Sequence, residues 1–135
     1  MARIQSIVGQ KIVIYNQDNK ILILKREIKT WGHRDLPGWW IELNEDAIVW
    51  LEREILEETW LQHIAGITPI HTDTTTYEGQ HSFLVWYTGR LEDDQEVVIS
   101  FEHTEYRRID PTEIENYKLK PYRIRTVKKT IKNPS

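Results

Sequence analysis

The sequence predicts an α+β domain in which a mixed β-sheet is sandwiched between α-helices. Three observations carry that expectation. Runs rich in β-branched residues occur both before and after a central helical pattern, and a second amphipathic helix pattern follows near residue 131. The chain has 135 residues, 39% of them hydrophobic, enough to close one core and too few for two. Residues 1–135 are therefore read as a single domain.

Residues 4–15 (IQSIVGQKIVIY) and 21–24 have strand character, and Asn16, Gln17, Asp18 and Asn19 between them are turn formers, which predicts a hairpin. Residues 28–38 mix charge with Gly32, Pro37 and Gly38, so they read as a loop leading into a short extended stretch at Trp40–Leu43. From Asp46 to Thr59 there is neither proline nor glycine. Ala47, Leu51 and Ile55 recur there at helical spacing, Glu54, Glu57 and Glu58 share another face, and Asp46 is the expected N-cap. Strands are expected within Ile64–Thr76 and at Ser82–Leu91, pairing antiparallel across Tyr77–Gln80, where Gly79 supplies the turn. Glu92, Asp93 and Asp94 predict an exposed connection, followed by strands at Val97–Phe101 and Tyr106–Ile109. Asp110 should cap a short helix with Pro111 at its first position. After Pro121, residues Tyr122–Ile131 predict a final helix with Ile124, Val127 and Ile131 on its apolar side.

Composition narrows the chemistry. The absence of cysteine excludes disulfides, thiolate zinc sites and a cysteine nucleophile, so any metal must bind oxygen or imidazole. No apolar leader and no run near eighteen apolar residues is present, and the expectation is a cytoplasmic protein with no membrane partner. The net charge of -3 conceals an asymmetry: all 21 acidic residues lie within 1–115, against 11 basic ones. Residues 116–135 carry Lys118, Lys120, Arg123, Arg125, Lys128, Lys129 and Lys132 and no acid. Such a segment is either a plain solvated surface or a phosphate-facing one, and it keeps RNA among the candidate partners. A homodimer is the candidate assembly.

The densest chemistry lies in Glu52-Arg53-Glu54-Ile55-Leu56-Glu57-Glu58-Thr59, with four carboxylates in about two helical turns. Residues three and four apart are helix neighbours, which places Glu54 beside both Glu57 and Glu58. Mutual repulsion disfavours the arrangement unless a cation offsets it, and hard divalent cations are held by carboxylate oxygens, waters and substrate phosphates. The face is a candidate magnesium platform; the alternative is an acid-rich surface that is merely solvated.

The flanking residues add a pattern to that cluster. Leu36-Pro37-Gly38, Glu45 and the run from Arg53 to Leu61 resemble the Nudix box, G-x5-E-x7-R-E-U-x-E-E-x-G-U with U aliphatic. In register, Glu45 takes the first glutamate, Arg53 and Glu54 the central pair, Ile55 the aliphatic position, Glu57 and Glu58 the second pair, and Leu61 the last aliphatic position. Trp39 and Trp60 stand where the two glycines belong, so seven of nine fixed positions match, including every charged one. Outside the box, Ile21–Arg26 resembles the family's second strand and Glu102–Arg107 its late acidic segment.

The resemblance implies a Nudix fold and a magnesium-dependent hydrolase, with manganese as an alternative ion, that cleaves the diphosphate of a nucleoside diphosphate linked to another group. It implies that Glu54, Glu57 and Glu58 hold the metal and that a divalent ion lowers the pKa of its water. Glu57 or Glu58 would orient the attacking water, or Glu102 or Glu105 would serve as base. Glu45 and Arg53 would pair to hold loop against helix. Arg26, Gly38 and Trp39 are the candidate substrate-binding residues, Arg26 through its planar guanidinium. His33, His63, His71 and His81 lack zinc spacing and read as loop or surface residues, whereas His103 stands beside Glu102. Tyr77 lies roughly where relatives acting on dinucleoside polyphosphates place a tyrosine, although a packing role at a strand end is favoured.

The tryptophans depart from the family pattern. Glycine serves where φ is positive or where a ligand approaches closely, and tryptophan meets neither need. Trp50 replaces a usually small residue and is expected to overpack its neighbours, while Trp40 and Trp86 also stand where glycine would be unsurprising. Low activity is the expected consequence, and a Nudix-fold nucleotide-binding module with impaired turnover is the alternative function. A third class is RNA-end processing. A UGA codon read as tryptophan under one genetic code and as glycine under another would also produce this pattern, which UGG codons at 39 and 60 would exclude.

Overall fold

A computed structural model describes residues 3, 5–26, 34–38, 40–41 and 46–132. The elements are β1 (Ile7–Tyr15), β2 (Ile21–Arg26), β3 (Arg34–Asp35), α1 (Ala47–Thr59), β4 (Ile64–Tyr77), β5 (Gln80–Leu91), β6 (His103–Ile109), a 3-10 helix (Pro111–Asn116) and α2 (Pro121–Lys132). The strands form one mixed sheet in the order β3-β2-β1-β5-β4, with β6 also pairing with β2. β1 runs parallel to β5 from Ile7↔Ser82 to Tyr15↔Arg90, and the remaining pairs are antiparallel.

Alternation along β1 sorts the two cores. Ile12 and Ile14 pack with Leu22, Leu24, Leu51, Ile55, Leu61 and Tyr87 on the α1 face. Val13 packs with Ile21, Ile23, Trp86, Ile114 and Val127 on the α2 face. The helices thus cover opposite faces, as the order of sequence patterns predicts, and each fully buried aliphatic side chain contributes roughly 1.5–3 kcal/mol. No helix among the described residues is long and apolar enough to cross a membrane.

The β1–β2 turn is an Asx turn, in which the Asn16 side chain accepts from the Asp18 and Lys20 N–H groups at 3.0 Å each. Farther back along β1 the edge is taken by the loop that follows β3. The Ile12 N–H donates to the Pro37 carbonyl at 3.0 Å, the Ile41 N–H donates to the Val8 carbonyl at 2.8 Å, and Trp40 bridges to Gly9. That insertion presses residues 36–38 and 40–41 against the sheet, and it is all that remains of the extended stretch expected at 40–43 within the described residues.

Four expectations are corrected. Val97–Phe101 is not a strand: the Val98 N–H donates to the Thr59 carbonyl at 3.0 Å and the Ser100 N–H to the Glu58 carbonyl at 3.1 Å. Those bonds satisfy carbonyls that the end of α1 leaves without helical partners, so the segment's donors are used there instead of in the sheet. The buried face of α2 is not Ile124, Val127 and Ile131, because Ile131 is exposed while Arg123, Thr126 and Thr130 are buried beside Val127. His71 is not a surface residue; it lies under α2, with Nε2 3.3 Å from Asp73 Oδ2 and 3.2 Å from Thr126 Oγ1. Trp86 is not a misplaced glycine position either, since its ring is fully buried, stacks on His71 and donates from Nε1 to Asp73 Oδ2 at 2.8 Å.

Candidate active site

Helix α1 delivers the carboxylates because its other face is apolar. Leu51 and Ile55 fix its rotation against the sheet, and Asp46 caps its start by accepting from the Ile48 and Val49 N–H groups at 3.0 and 3.1 Å. The Gln10 side chain ties β1 to this helix start, donating to the Ala47 carbonyl at 2.8 Å and accepting from the Tyr87 hydroxyl at 2.8 Å. The rotation leaves Glu57 exposed, Glu54 half-buried and Glu58 buried.

Glu58 Oε2 accepts from the Gly38 N–H at 3.3 Å, so the loop after β3 meets the last turn of α1 at this carboxylate. Burial pushes the Glu58 pKa up to about 7, with Glu54 and Asp35 adding to the rise and Lys11 and the Gly38 N–H opposing it. Gly38 is irreplaceable on steric grounds: its φ is +125°, and an added Cβ would lie 2.1 Å from the Gln10 carbonyl oxygen and 2.8 Å from Lys11 Cα. That constraint comes from the close approach of the loop backbone to β1, within the fold itself.

The other candidates fall into different places. The Arg53 guanidinium lies 4.4 Å from the Trp50 ring centroid, and Glu45, its expected partner, is outside the described residues. Trp50 is buried, and its Nε1 donates to the Trp40 carbonyl at 2.9 Å. Trp40 is accommodated by Gly9, where a Cβ would meet its ring at 2.7 Å. Glu102 is exposed in the turn after Ser100, whose N–H donates to the Glu58 backbone carbonyl at the end of α1. Glu105 is instead engaged by Arg34 at 2.6 Å and Arg107 at 3.3 Å, hydrogen bonds that hold its carboxyl below the usual range and make it a poor base. His103 is buried, with Nδ1 3.3 Å from the Ser100 hydroxyl. Trp39 and His33, together with the side chains of Arg26 and Tyr77, lie outside the described residues.

Trp60 occupies the helix C-cap with φ 68° and ψ 7°, and its N–H donates to the Leu56 carbonyl. The left-handed conformation expected for the box's last glycine is present, carried by tryptophan. Sequence reasoning did not single out Lys11, Asp35 or Arg123. Lys11 Nζ donates to the Leu36 and Gly38 carbonyls at 3.1 and 3.0 Å and pairs with Asp35 Oδ2 at 3.1 Å, and Arg123 Nε pairs with Asp35 Oδ1 at 2.5 Å. The available signal was a lysine inside the apolar run of β1.

A divalent ion would find hard oxygen donors of the right type in Glu54, Glu57 and Glu58, two of them accessible. Among the described residues no group of three or more His, Asp or Glu side chains is gathered closely enough to hold a metal ion by itself. The donor set fits an ion that keeps waters and phosphate oxygens in its shell.

The sequence model of the NUDIX domain matches residues 6–130. The chain belongs to the NUDIX family. Solved NUDIX structures superpose along nearly its full length. The MutT protein from Methanosarcina mazei Go1 is similar with a TM-score of 0.80 at 21% identity, covering 100% of both chains. A C. elegans Ap4A hydrolase in a binary complex has a TM-score of 0.79 at 16% identity over 93% of this chain and 96% of its own. The NUDIX domain of Shewanella oneidensis NrtR complexed with ADP ribose has a TM-score of 0.81 at 16% identity, over 97% and 90%. At these identities the likeness establishes the fold. A search of curated proteins finds no match. Within the NUDIX frame, the carboxylate helix and the Gly38 loop form the candidate site, and the basic segment is divided: Arg123 is buried against Asp35, while Lys128 pairs with Glu115 on the surface.

Proposed function

We propose that this protein is a magnesium-dependent hydrolase of a nucleoside diphosphate linked to another group, with nucleoside triphosphates among the substrates to try first. The observation that supports it most is the meeting of the Gly38 N–H with the Glu58 carboxylate beside Glu54 and Glu57. It brings a backbone bend, into which no side chain fits, against one of the three carboxylates that the helix carries. The named ligands of two structural relatives, Ap4A and ADP ribose, share a phosphoanhydride between nucleoside and leaving group, and the proposed substrate class follows that common element.

In this reading Glu54, Glu57 and Glu58 hold the ion, with manganese able to replace magnesium. The bound ion supplies positive charge against the diphosphate and acidifies water. Water oxygen bonds to phosphorus as the bridging P–O bond breaks, and an acceptor must take the water's proton. Glu102, exposed in the turn tied to the Glu58 backbone carbonyl, is assigned that role in preference to Glu105. Glu57 orients the water from the exposed face, Arg53 braces the helix surface through Trp50, and Arg26, Gly38 and Trp39 keep the substrate-binding role that the family pattern implies. The protein acts in the cytoplasm.

The test is hydrolysis of a nucleotide panel with magnesium, with EDTA, and with Glu57→Gln and Glu58→Gln. Release of phosphate or pyrophosphate that EDTA and both substitutions abolish is the expected result. Tight nucleotide binding without turnover by the parent would replace the enzyme with a binding module.

A further inference from the structure

We propose that Lys11 is a positioning residue for the active-site loop: its ammonium group clamps the Leu36 and Gly38 carbonyls so that the Gly38 N–H is held on Glu58. The kinetic part of this inference rests on the hydrolase reading above; the structural part does not.

Two cations from different elements converge on Asp35. Asp35 sits between two cations, Lys11 at 3.1 Å and Arg123 at 2.5 Å, and also accepts from the Leu36 N–H at 2.7 Å. Arg123 from α2 already supplies Asp35 with a counter-charge, and Lys11 also acts electrostatically on the buried Glu58 carboxylate. Taking a lysine ammonium group out of water is costly, and an apolar side chain of similar length would avoid that cost. What Lys11 does that Arg123 does not is donate to two backbone carbonyls of the loop, at 3.1 and 3.0 Å.

Those carbonyls belong to the segment that must be held. Gly38 presents two backbone groups: its carbonyl accepts from Lys11 and its N–H donates to Glu58. Between Leu36 and Gly38, the Pro37 carbonyl accepts from the Ile12 N–H, so three successive carbonyls are tied to two neighbouring residues of β1. With φ at +125°, Gly38 has access to conformations closed to other residues, and a loop built on it needs external fixing. A lysine on one face of the sheet therefore acts on a carboxylate belonging to the helix on the other.

The experiment compares Lys11→Met with the parent, using Lys128→Met, an exposed cation of α2, as the charge control. Lys11→Met should fold, because Asp35 keeps Arg123. In magnesium-dependent hydrolysis its kcat should fall at least tenfold while KM stays within about threefold, and Lys128→Met should match the parent. Gly38 amide exchange, followed by NMR against the β1–β5 ladder amides as reference, should quicken at least tenfold in Lys11→Met alone. Lys11→Arg, which keeps charge and donors, should recover part of both quantities. If Lys11→Met does not fold, the triple variant Lys11→Met, Asp35→Leu, Arg123→Met removes all three buried charges and is read in the same way. Unchanged Gly38 protection in a folded variant lacking Lys11 overturns the proposal. A parent that hydrolyses nothing defeats the hydrolase reading instead, and the Gly38 exchange rate still decides the clamp.

Discussion

On the α1 face of the sheet, Leu51, Ile55 and Leu61 meet Ile12, Ile14, Leu22 and Leu24, and most polar groups of the helix point away. On the α2 face, Arg123, Thr126 and Thr130 point inward, bonded to Asp35, to His71 and to Tyr15 in turn. An apolar interface tolerates small shifts, because dispersion and burial have little direction, whereas a polar one is worth having only when every partner is in place. The first kind suits a helix whose exposed face does the chemistry. The second locks α2 to β3, and through Asp35 and Lys11 to the loop of the candidate site.

The largest effect expected from that contrast is at Asp35. Asp35→Ala leaves Lys11 and Arg123 buried without their carboxylate and should destabilise by about 3–5 kcal/mol. Chemical denaturation gives the value, and a loss under 1 kcal/mol would show that the ion cluster is not a locked unit. On the apolar side, Ile55→Ala should cost about 3 kcal/mol through lost burial and a residual cavity. The comparison sharpens if a larger side chain restores the Ile55 variant while nothing but an acid restores Asp35.

The two faces should also answer pH with opposite slopes. Burial acts to raise the Asp35 pKa, yet Lys11 and Arg123 outweigh it and hold the carboxyl below its ordinary value. A depressed carboxylate contributes stability that is complete above its unfolded pKa, about 3.9, and is lost as pH falls through the folded value. Glu58 behaves the other way in EDTA. With its folded pKa at about 7, it keeps its proton in the native protein while the unfolded chain has already lost its own. Stability should therefore decline as pH rises between the ordinary glutamate value and 7, by at most about 1.4 kcal/mol per pH unit. Glu58→Gln should flatten that window and leave the acid limb near pH 3 unchanged; a decline that persists in the variant would assign it elsewhere.

The same contrast explains what could be read from the chain. Helix α1 was legible because Leu51 and Ile55 recur on a period that only an apolar face produces, and the Nudix box named its carboxylates. The buried side of α2 was not, because Arg123, Thr126 and Thr130 carry no hydrophobic signal and their partners lie more than fifty residues away along the chain. For the same reason Lys11 was passed over: a polar residue in an apolar strand announces burial of something charged without saying what answers it. Val97–Phe101 has strand composition, but the open carbonyls at the end of α1 competed for its N–H groups, and periodicity does not register that competition.

The smallest effect expected is at the end of α1, and it tests whether the tryptophan there is tolerated or required. Trp60 adopts φ 68°, and a non-glycine residue in the left-handed region costs on the order of 1 kcal/mol. The residue is 63% exposed, so removing its side chain sacrifices little burial. Against the relieved strain stands the greater entropy of a glycine in the unfolded chain, roughly 0.5–1 kcal/mol. These terms nearly cancel for backbone alone, but the N–H to Leu56 bond is kept with either residue and glycine lets it form without distortion. Trp60→Gly should therefore change stability by no more than about 1 kcal/mol, in the stabilising direction, with kcat unaltered because the ring points to solvent. Melting temperature and turnover measured on the same preparation check it. A fall in stability would mean that the indole packs on the neighbouring 97–101 segment strongly enough to be part of the fold. A gain in turnover would mean that the end of the helix, through Glu57 and Glu58, is held out of place by the residue that caps it.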